Sequence, residues 1–159
     1  MIAASLRTTA ALLFPLCAWA AAPTNDAGQL ERGRYLVQIA GCNDCHTDNY
    51  LQAPDQTPEA TWLQGTSLGW SGPWGTTYAS NLRLVLPQLS ETEWLHLARN
   101  ANYRPPMPNH ALRLMSDEDL LSIHRFVRHL GQAGTPAPAY VPPSGKTSGP
   151  LVLFPSPGQ

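Results

Sequence analysis

Little in this sequence suits a protein that binds nucleic acid, holds structural zinc or crosses a membrane. Its formal net charge is −1, whereas a nucleic-acid-binding surface needs an excess of lysine and arginine. It has three cysteines in 159 residues, and no second cysteine pair accompanies Cys42 and Cys45 to complete the four ligands of a zinc site. Its apolar run, which Pro15 interrupts, is shorter than the ~20 residues that span a bilayer. A chain of this length is expected to form one domain.

Residues 1–22 have the organisation of a secretory signal peptide. Arg7 precedes the apolar segment TAALLFPLCAWAAA, and no acidic residue occurs among these residues. The small residues at the end of the segment predict cleavage after Ala20 or Ala22, with an uncleaved membrane anchor as the alternative. Export predicts a periplasmic protein. Cleavage would remove Arg7 and Cys17, which leaves two cysteines and a formal charge of −2.

Hydrophobic spacing and capping residues predict three helices between residues 26 and 131. Gly33 lies inside the first and costs roughly 1 kcal/mol relative to alanine, which is tolerable where another helix crosses closely. Ser90 followed by Glu93 forms a capping box at the start of the second. The apolar face of the third consists of Leu120, Ile123, Phe126, Val127 and Leu130. The helices are predicted to begin near Asp26, Ser90 and Ser116, and the first and third to end at Gly41 and Gly131.

Two segments have no helical periodicity. Residues 47–82 are rich in glycine and proline and hold three of the five tryptophans. We predict a long loop there, of a kind that is often functional, wrapped around a large flat apolar ligand. Residues 132–159 form a proline-rich tail that we predict to be extended or disordered. The apolar patch at residues 151–154 either packs on the domain or contacts a partner.

The most informative motif is C-N-D-C-H at residues 42–46, for which four interpretations compete. A disulfide here closes almost no loop and restrains the unfolded chain little. Zinc lacks its other ligands, and a thioredoxin-like dithiol needs an alternation of strands and helices that the sequence does not predict. C-x-x-C-H is the signature of covalent c-type haem attachment. Cys42 and Cys45 would form thioethers with the two vinyl groups, and the His46 imidazole would be an axial iron ligand.

A second axial ligand is expected downstream, and the sequence offers three candidates. Met107 lies between Pro106 and Pro108, which stiffen its loop, and a weak thioether ligand gains from such preorganisation. Met115 adjoins the predicted start of the third helix, where it is expected to pack on that helix. His110 is the third candidate, because the second axial ligand of haem iron can be a histidine as well as a methionine. We favour Met107 and keep the other two as alternatives.

Taken together, CNDCH after a short helix, MP in a proline-rich loop and MSDEDLLSIHRFVRHL as the closing helix resemble class I cytochrome c. The resemblance covers residues 26–131 and implies an all-α fold around one haem, with the first and last helices crossing near Gly33 and Phe126. The segment GPWGTTYASNL is similar to one in periplasmic cytochromes that serve membrane dehydrogenases, where it helps to line the haem edge. The tryptophan-rich loop and the tail depart from small soluble cytochromes. The residues to which the resemblance gives roles are Cys42 and Cys45 (attachment), His46 (proximal ligand) and Met107 (distal ligand).

These features predict a periplasmic electron carrier rather than an enzyme. Because two axial ligands leave iron no open site, the chain would pass electrons from a dehydrogenase to a respiratory acceptor, such as an oxidase or a quinone-linked complex. Nucleic acid is not an expected partner, and membrane association is expected only through a partner or an uncleaved leader. The alternatives are a haem subunit of a larger dehydrogenase complex, a haem sensor or catalyst with an open or displaceable distal site, and an assembly subunit whose tail is the functional part.

Other polar residues have less specific interpretations. Arg83 and Arg104 suit pairing with haem propionates and exposed positions equally well. His124 and His129 are expected at the surface.

Overall fold

The computed structural model describes residues 26–155, which contain six α-helices and a three-stranded sheet. The predicted signal peptide and the last four residues of the tail lie outside this range. No helix between residues 26 and 155 is long and apolar enough to cross a membrane. The helices are α1 (Asp26–Ile39), α2 (Cys42–His46), α3 (Leu82–Val85), α4 (Glu91–Asn100), α5 (Asn109–Leu114) and α6 (Asp117–Leu130). The strands are β1 (Gly69–Gly72), β2 (Gly75–Tyr78) and β3 (Leu151–Leu153), and short 3-10 turns occupy Pro54–Gln56, Glu59–Thr61 and Leu86–Gln88.

The prediction of an all-α fold is wrong. Within the predicted long loop, β1 and β2 form an antiparallel hairpin, and the tail adds β3 parallel to β1. The strand order is β2-β1-β3. The described residues therefore have a mixed α/β fold, in which helices predominate.

The sequence pattern does not predict the hairpin, because its strands are four residues long and lack an alternation of apolar and polar residues. Gly69 occupies a position where a side chain would obstruct the sheet: a Cβ there would lie 2.7 Å from both Leu151 Cδ2 and Thr76 Cγ2. The glycine lets β3 approach β1, as glycine in a strand often does for a neighbouring backbone. Because β3 lies far along the chain, its pairing with β1 leaves no local signal in the sequence.

The expected crossing of the first and last helices is confirmed at Gly33. A Cβ at this position would lie 2.1 Å from the Ser122 carbonyl oxygen and 2.6 Å from Phe126 Cβ. The backbones of α1 and α6 thus approach as closely as a glycine permits. Val37 and Val127 are fully buried in the core that includes this crossing.

The predicted capping residues of α4 and α6 are also confirmed. The Glu93 N–H donates to Ser90 Oγ at 3.2 Å, and the Ser90 N–H donates to a Glu93 carboxylate oxygen at 2.8 Å. The Ser116 hydroxyl oxygen accepts from the Asp119 N–H at 3.1 Å. Gly131 follows α6 with a positive φ of 72°, as expected for a glycine that ends a helix.

Two polar side chains stabilise turns from inside the protein. Arg83 is 6% exposed, so an exposed position does not describe it. His124 is 0% exposed, and its predicted surface position is wrong: its Nε2–H donates to two carbonyl oxygens, one at the start of the 3-10 turn Leu86–Gln88 and one just after it. The acceptors of Arg83 are the carbonyl oxygens of Ala60, Leu130 and Gly131. The acceptors of His124 are those of Leu86 and Leu89, at 3.2 and 3.0 Å.

The tail is fastened to the hairpin at several points. Thr76 and Val141 exchange two backbone hydrogen bonds of 2.8 and 2.9 Å. The Phe154 ring packs on Trp70 and Trp74, with centroid distances of 6.2 and 5.2 Å. The apolar patch of the tail thus packs in part on the domain, through the Phe154 ring, while Leu153 is 75% exposed.

Candidate functional site

The C-N-D-C-H motif folds into a single helical turn, α2, shortly after α1. Gly41 connects the two helices with a φ of 71°, a conformation that glycine adopts readily. Cys42, Cys45 and His46 all line one cavity of about 360 Å³, which is partly open to solvent. Neither of these two thiols forms a disulfide. One helical turn therefore presents two thiols and an imidazole to the same space.

The His46 imidazole is held by the end of the hairpin. Its Nδ1–H donates to the Ser80 carbonyl oxygen at 2.7 Å, which leaves Nε2 as the nitrogen with a free lone pair. Burial lowers the pKa of His46, although the hydrogen bond to Ser80 opposes this shift. A neutral imidazole whose second nitrogen is oriented by a carbonyl is the form that binds metals.

The two thiols are poorly suited to redox catalysis. Burial raises the pKa of Cys42 to about 11. Burial, with a smaller contribution from the negative charge of Asp44, also raises the pKa of Cys45. Catalytic thiols need a lowered pKa, because the thiolate is the reactive form. The motif also follows a helix rather than a strand, so the redox-dithiol interpretation has neither the fold nor the electrostatics it requires.

Met107 lies in the loop between α4 and α5. This segment, residues 103–108, is called the Met107 loop below. Met107 and Met115 both line the cavity, whereas His110 does not contribute to its lining and is exposed. The structure thus brings Cys42, Cys45, His46 and Met107 to one cavity, together with the alternative ligand Met115.

The rest of the cavity wall is mostly apolar. Among the lining residues, Arg104 is the only lysine, arginine, aspartate or glutamate. Trp70 also lines the cavity, and its buried Nε1–H has no hydrogen-bond partner among residues 26–155. The wall suits a large apolar ligand that carries a few polar groups. Its aliphatic and indole side chains include Leu82, Leu86, Trp94, Leu97, Leu112 and Ile123.

The segment GPWGTTYASNL, singled out by resemblance, contributes much of one wall. It contains β2, and its residues from Thr77 to Ser80 line the cavity. Its Ser80 also supplies the acceptor for His46. Tyr140 was missed, although it lines the cavity as well. An aromatic residue within a proline-rich tail was the only signal that could have indicated it.

The chain matches no protein-family model, no curated protein and no solved structure with which it was compared. Among residues 26–155, no three His, Cys, Asp or Glu side chains lie close enough together to hold a metal ion. The described residues thus do not form the four-ligand set of a structural zinc site. What the cavity offers is one oriented imidazole, two thiols, two thioethers and an apolar wall.

Proposed function

We propose that this protein is a single-haem c-type cytochrome that carries electrons in the periplasm. The observation that carries the proposal is that Cys42, Cys45, His46 and Met107, which the sequence motifs assign to haem, line one cavity. The proposal does not need an all-α fold, because three of these four residues lie on one helical turn and the fourth on a loop between helices.

The properties of the cavity fit this cofactor. Its volume of about 360 Å³ lies within the usual range of ligand pockets, roughly 300–1,000 Å³. Its thiols stand within one turn, as attachment to two vinyl groups requires. Arg104 and the unpartnered Trp70 N–H supply the few polar groups that an apolar ligand with acidic substituents would need. Bound haem would supply an iron that cycles between ferrous and ferric states, with a potential raised by methionine ligation.

The chain itself would orient the ligands and exclude water. The hydrogen bond from His46 to Ser80 fixes the imidazole ring, so that Nε2 is available without rotation. Buried side chains on the helices, such as Trp94 and Ile123, cover the inner side of the cavity. Met107 offers a neutral sulfur from a loop whose prolines limit its conformations.

The proposed partners are a dehydrogenase as electron donor and a respiratory acceptor. One prediction and one observation support this choice: the export signal predicted in residues 1–22, and the cavity-lining position of the GPWGTTYASNL segment, which is similar to one in cytochromes that serve dehydrogenases. If the protein is instead a haem subunit of a larger dehydrogenase complex, haem would bind at the same site.

Haem attachment is tested by producing the full chain in a bacterium that attaches haem in its periplasm. We expect a covalent haem stain at the mass of the wild-type protein after denaturing electrophoresis. The variant Cys42→Ala/Cys45→Ala should lose it, because no thioether can form. A Ser116→Ala variant, which changes only a helix cap, serves as a control and should keep the stain. An unstained wild-type protein, or a stained double variant, would overturn the proposal.

The distal ligand is tested with Met107→Ala and, as a matched control, Met115→Ala. Only Met107→Ala should abolish the weak far-red absorption band that sulfur ligation gives to ferric haem, while haem stays attached. The reduced wild-type protein should bind carbon monoxide slowly and incompletely. Rapid, complete binding would instead indicate an open distal site and a sensor or catalyst.

A further inference from the structure

The C-terminal tail reaches the cavity beside the Met107 loop. Tyr140 lines the cavity together with Arg104, Pro106 and Met107 of that loop. The Arg104 guanidinium carbon lies 3.8 Å from the centroid of the Tyr140 ring. This distance is well within the range of a cation–π interaction. The tail thus contacts the loop only three residues before Met107.

Tyr140 is itself anchored to the hairpin. Its hydroxyl donates to the Trp74 carbonyl oxygen at 2.7 Å, and the next residue, Val141, exchanges two backbone hydrogen bonds with Thr76. The ring is therefore fixed at its far end and at its backbone. It offers Arg104 a firm surface rather than a mobile one.

The tail is also held on both sides of Tyr140. Before it, the Asn81 side-chain amide donates to the carbonyl oxygens of Ala133 and Thr135, at 2.8 and 3.2 Å. After it, β3 pairs with β1, and the Phe154 N–H donates to the Ser71 carbonyl oxygen at 2.8 Å. Residues 133–154 thus form a strap fastened at both ends, with Tyr140 between the fastenings.

The Met107 loop is held by a small number of hydrogen bonds, two of which are those from the Met107 N–H to the Arg104 carbonyl oxygen at 3.3 Å and from the Asn109 N–H to the Met107 carbonyl oxygen at 3.0 Å. Prolines 105, 106 and 108 have no N–H to donate, and Tyr103, Arg104 and Pro105 are exposed. The Thr77 hydroxyl donates to the Pro105 carbonyl oxygen at 2.6 Å. At the other end, the Asn109 side chain hydrogen-bonds the N–H and carbonyl of Tyr103, at 2.8 and 2.9 Å. The stacking of Arg104 on Tyr140 is the contact that joins this loop to the strap.

We propose that the strap positions the Met107 loop, with Tyr140 as the positioning residue that acts through Arg104. The consequence for iron ligation rests on the function proposed above, whereas the consequence for the loop does not. A neutral thioether is a weak ligand, so a loop that is free to move would let Met107 leave the iron more often.

The test compares Tyr140→Ala with wild type in the haem-loaded full chain, by two readouts. Loosening the loop should weaken the far-red sulfur band. It should also raise the rate of carbon monoxide binding by about two- to five-fold, as expected for the loss of a cation–π contact near the surface. Backbone N–H groups of the Met107 loop should exchange hydrogen faster by a similar factor. Tyr140→Phe, which keeps the ring, should change both readouts less. Tyr140→Leu replaces Tyr140→Ala if the latter does not accumulate.

Tyr35→Ala is the matched control, because Tyr35, which is 50% exposed, likewise lies under an arginine, Arg32, at 5.6 Å. It is on α1, away from the cavity lining, and should behave as wild type in both readouts. If Tyr140 acts through Arg104, then Arg104→Ala combined with Tyr140→Ala should have no larger effect than either change alone. Additive effects would contradict that route.

The two readouts separate the possible failures. Unchanged hydrogen exchange and an unchanged sulfur band in Tyr140→Ala would overturn the inference. A wild-type protein without the sulfur band, but with faster loop exchange in Tyr140→Ala, would overturn Met107 ligation and leave the positioning of the loop intact.

Discussion

The cavity has two walls that are built in different ways. The helical wall consists of α2, α4 and α6, and it includes deeply buried side chains: Trp94 is 6% exposed, and its Nε1–H donates to the Leu120 carbonyl oxygen at 2.7 Å. The outer wall consists of the hairpin, the Met107 loop and the strap. It depends on the pairing of short strands and on hydrogen bonds and ring contacts that often involve partly exposed residues, such as that of Arg104 with Tyr140.

This difference predicts different modes of opening. A close-packed helical wall can open only when the core unfolds, whereas segments with few buried apolar contacts open locally at lower free energy. His46 lies on the helical wall and Met107 on the outer wall. In the proposed cytochrome the proximal side would therefore be rigid, and the distal side would be where local motion and adjustment occur.

The largest expected effect comes from disrupting, at Gly33, the packing of α1 against α6, which supports the helical wall from behind. In Gly33→Ala the new Cβ would lie 2.1 Å from the Ser122 carbonyl oxygen, a backbone atom that cannot move aside without separating α1 from α6. We expect the free energy of unfolding, measured by denaturant titration, to fall by about 2 kcal/mol or more. Gly28→Ala is the control, because no described atom lies within 4 Å of its Cβ. It should leave stability unchanged or slightly raised. Equal stability of both variants would show that the helices tolerate separation.

The helical wall was predictable from local features of the sequence. Ser90 and Glu93 indicate the start of α4, and Ser116 indicates the start of α6. The spacing of apolar residues from Leu120 to Leu130 identifies the buried face of α6. These signals concern residues within a turn or two of one another, and the structure follows them. His124 is the exception, since nothing in its immediate neighbours indicates that its Nε2–H will donate to carbonyl oxygens about 35 residues away in the chain.

The outer wall was not predictable in the same way, because its contacts join residues far apart in the chain. Gly69 permits the approach of β3, but in the sequence it resembles any loop glycine. Tyr140 becomes a cavity residue only through contacts with Trp74 and Arg104. The ligand candidates were nevertheless identifiable, since the C-N-D-C-H spacing and the prolines around Met107 are local. The structure adds that they line one cavity, and haem ligation itself stays a prediction.

A smaller effect is expected from loosening the outer wall at Phe154. Phe154→Ala removes ring contacts with Trp70 and Trp74, which are worth about 0.5–1.5 kcal/mol in pairs of this kind. Because the strap can open locally, we expect proteolysis of the tail to accelerate several-fold while the midpoint of global unfolding changes less than in Gly33→Ala. Leu153→Ala, at the preceding residue, which ends β3 and is 75% exposed, should show neither change. If Phe154→Ala lowers global stability as much as Gly33→Ala does, the two walls unfold as one unit.

The smallest expected effect concerns a surface ion pair that joins α4 to α6 in the helical wall. Arg125 donates to both carboxylate oxygens of Glu91, at 2.6 and 3.0 Å, and this interaction lowers the pKa of Glu91. A carboxyl group whose pKa is lowered by folding stabilises the protein above its ordinary pKa, and the contribution is lost as the pH falls through the folded-state value. Because both side chains are partly exposed, Glu91→Gln should lower the free energy of unfolding at pH 7 by at most about 1 kcal/mol.

The pH dependence of this stabilisation shows whether it comes from the charge of Glu91 or from the geometry of its hydrogen bonds. The difference in unfolding free energy between wild type and Glu91→Gln should shrink as the pH falls below about 4, the ordinary range of a glutamate pKa, and it should also shrink in concentrated salt. A difference that is the same at pH 7 and at pH 3 would mean that Glu91 acts through the shape of its hydrogen bonds. In that case the surface of the helical wall would resemble the outer wall, whose contacts depend on individual geometry more than on charge or burial.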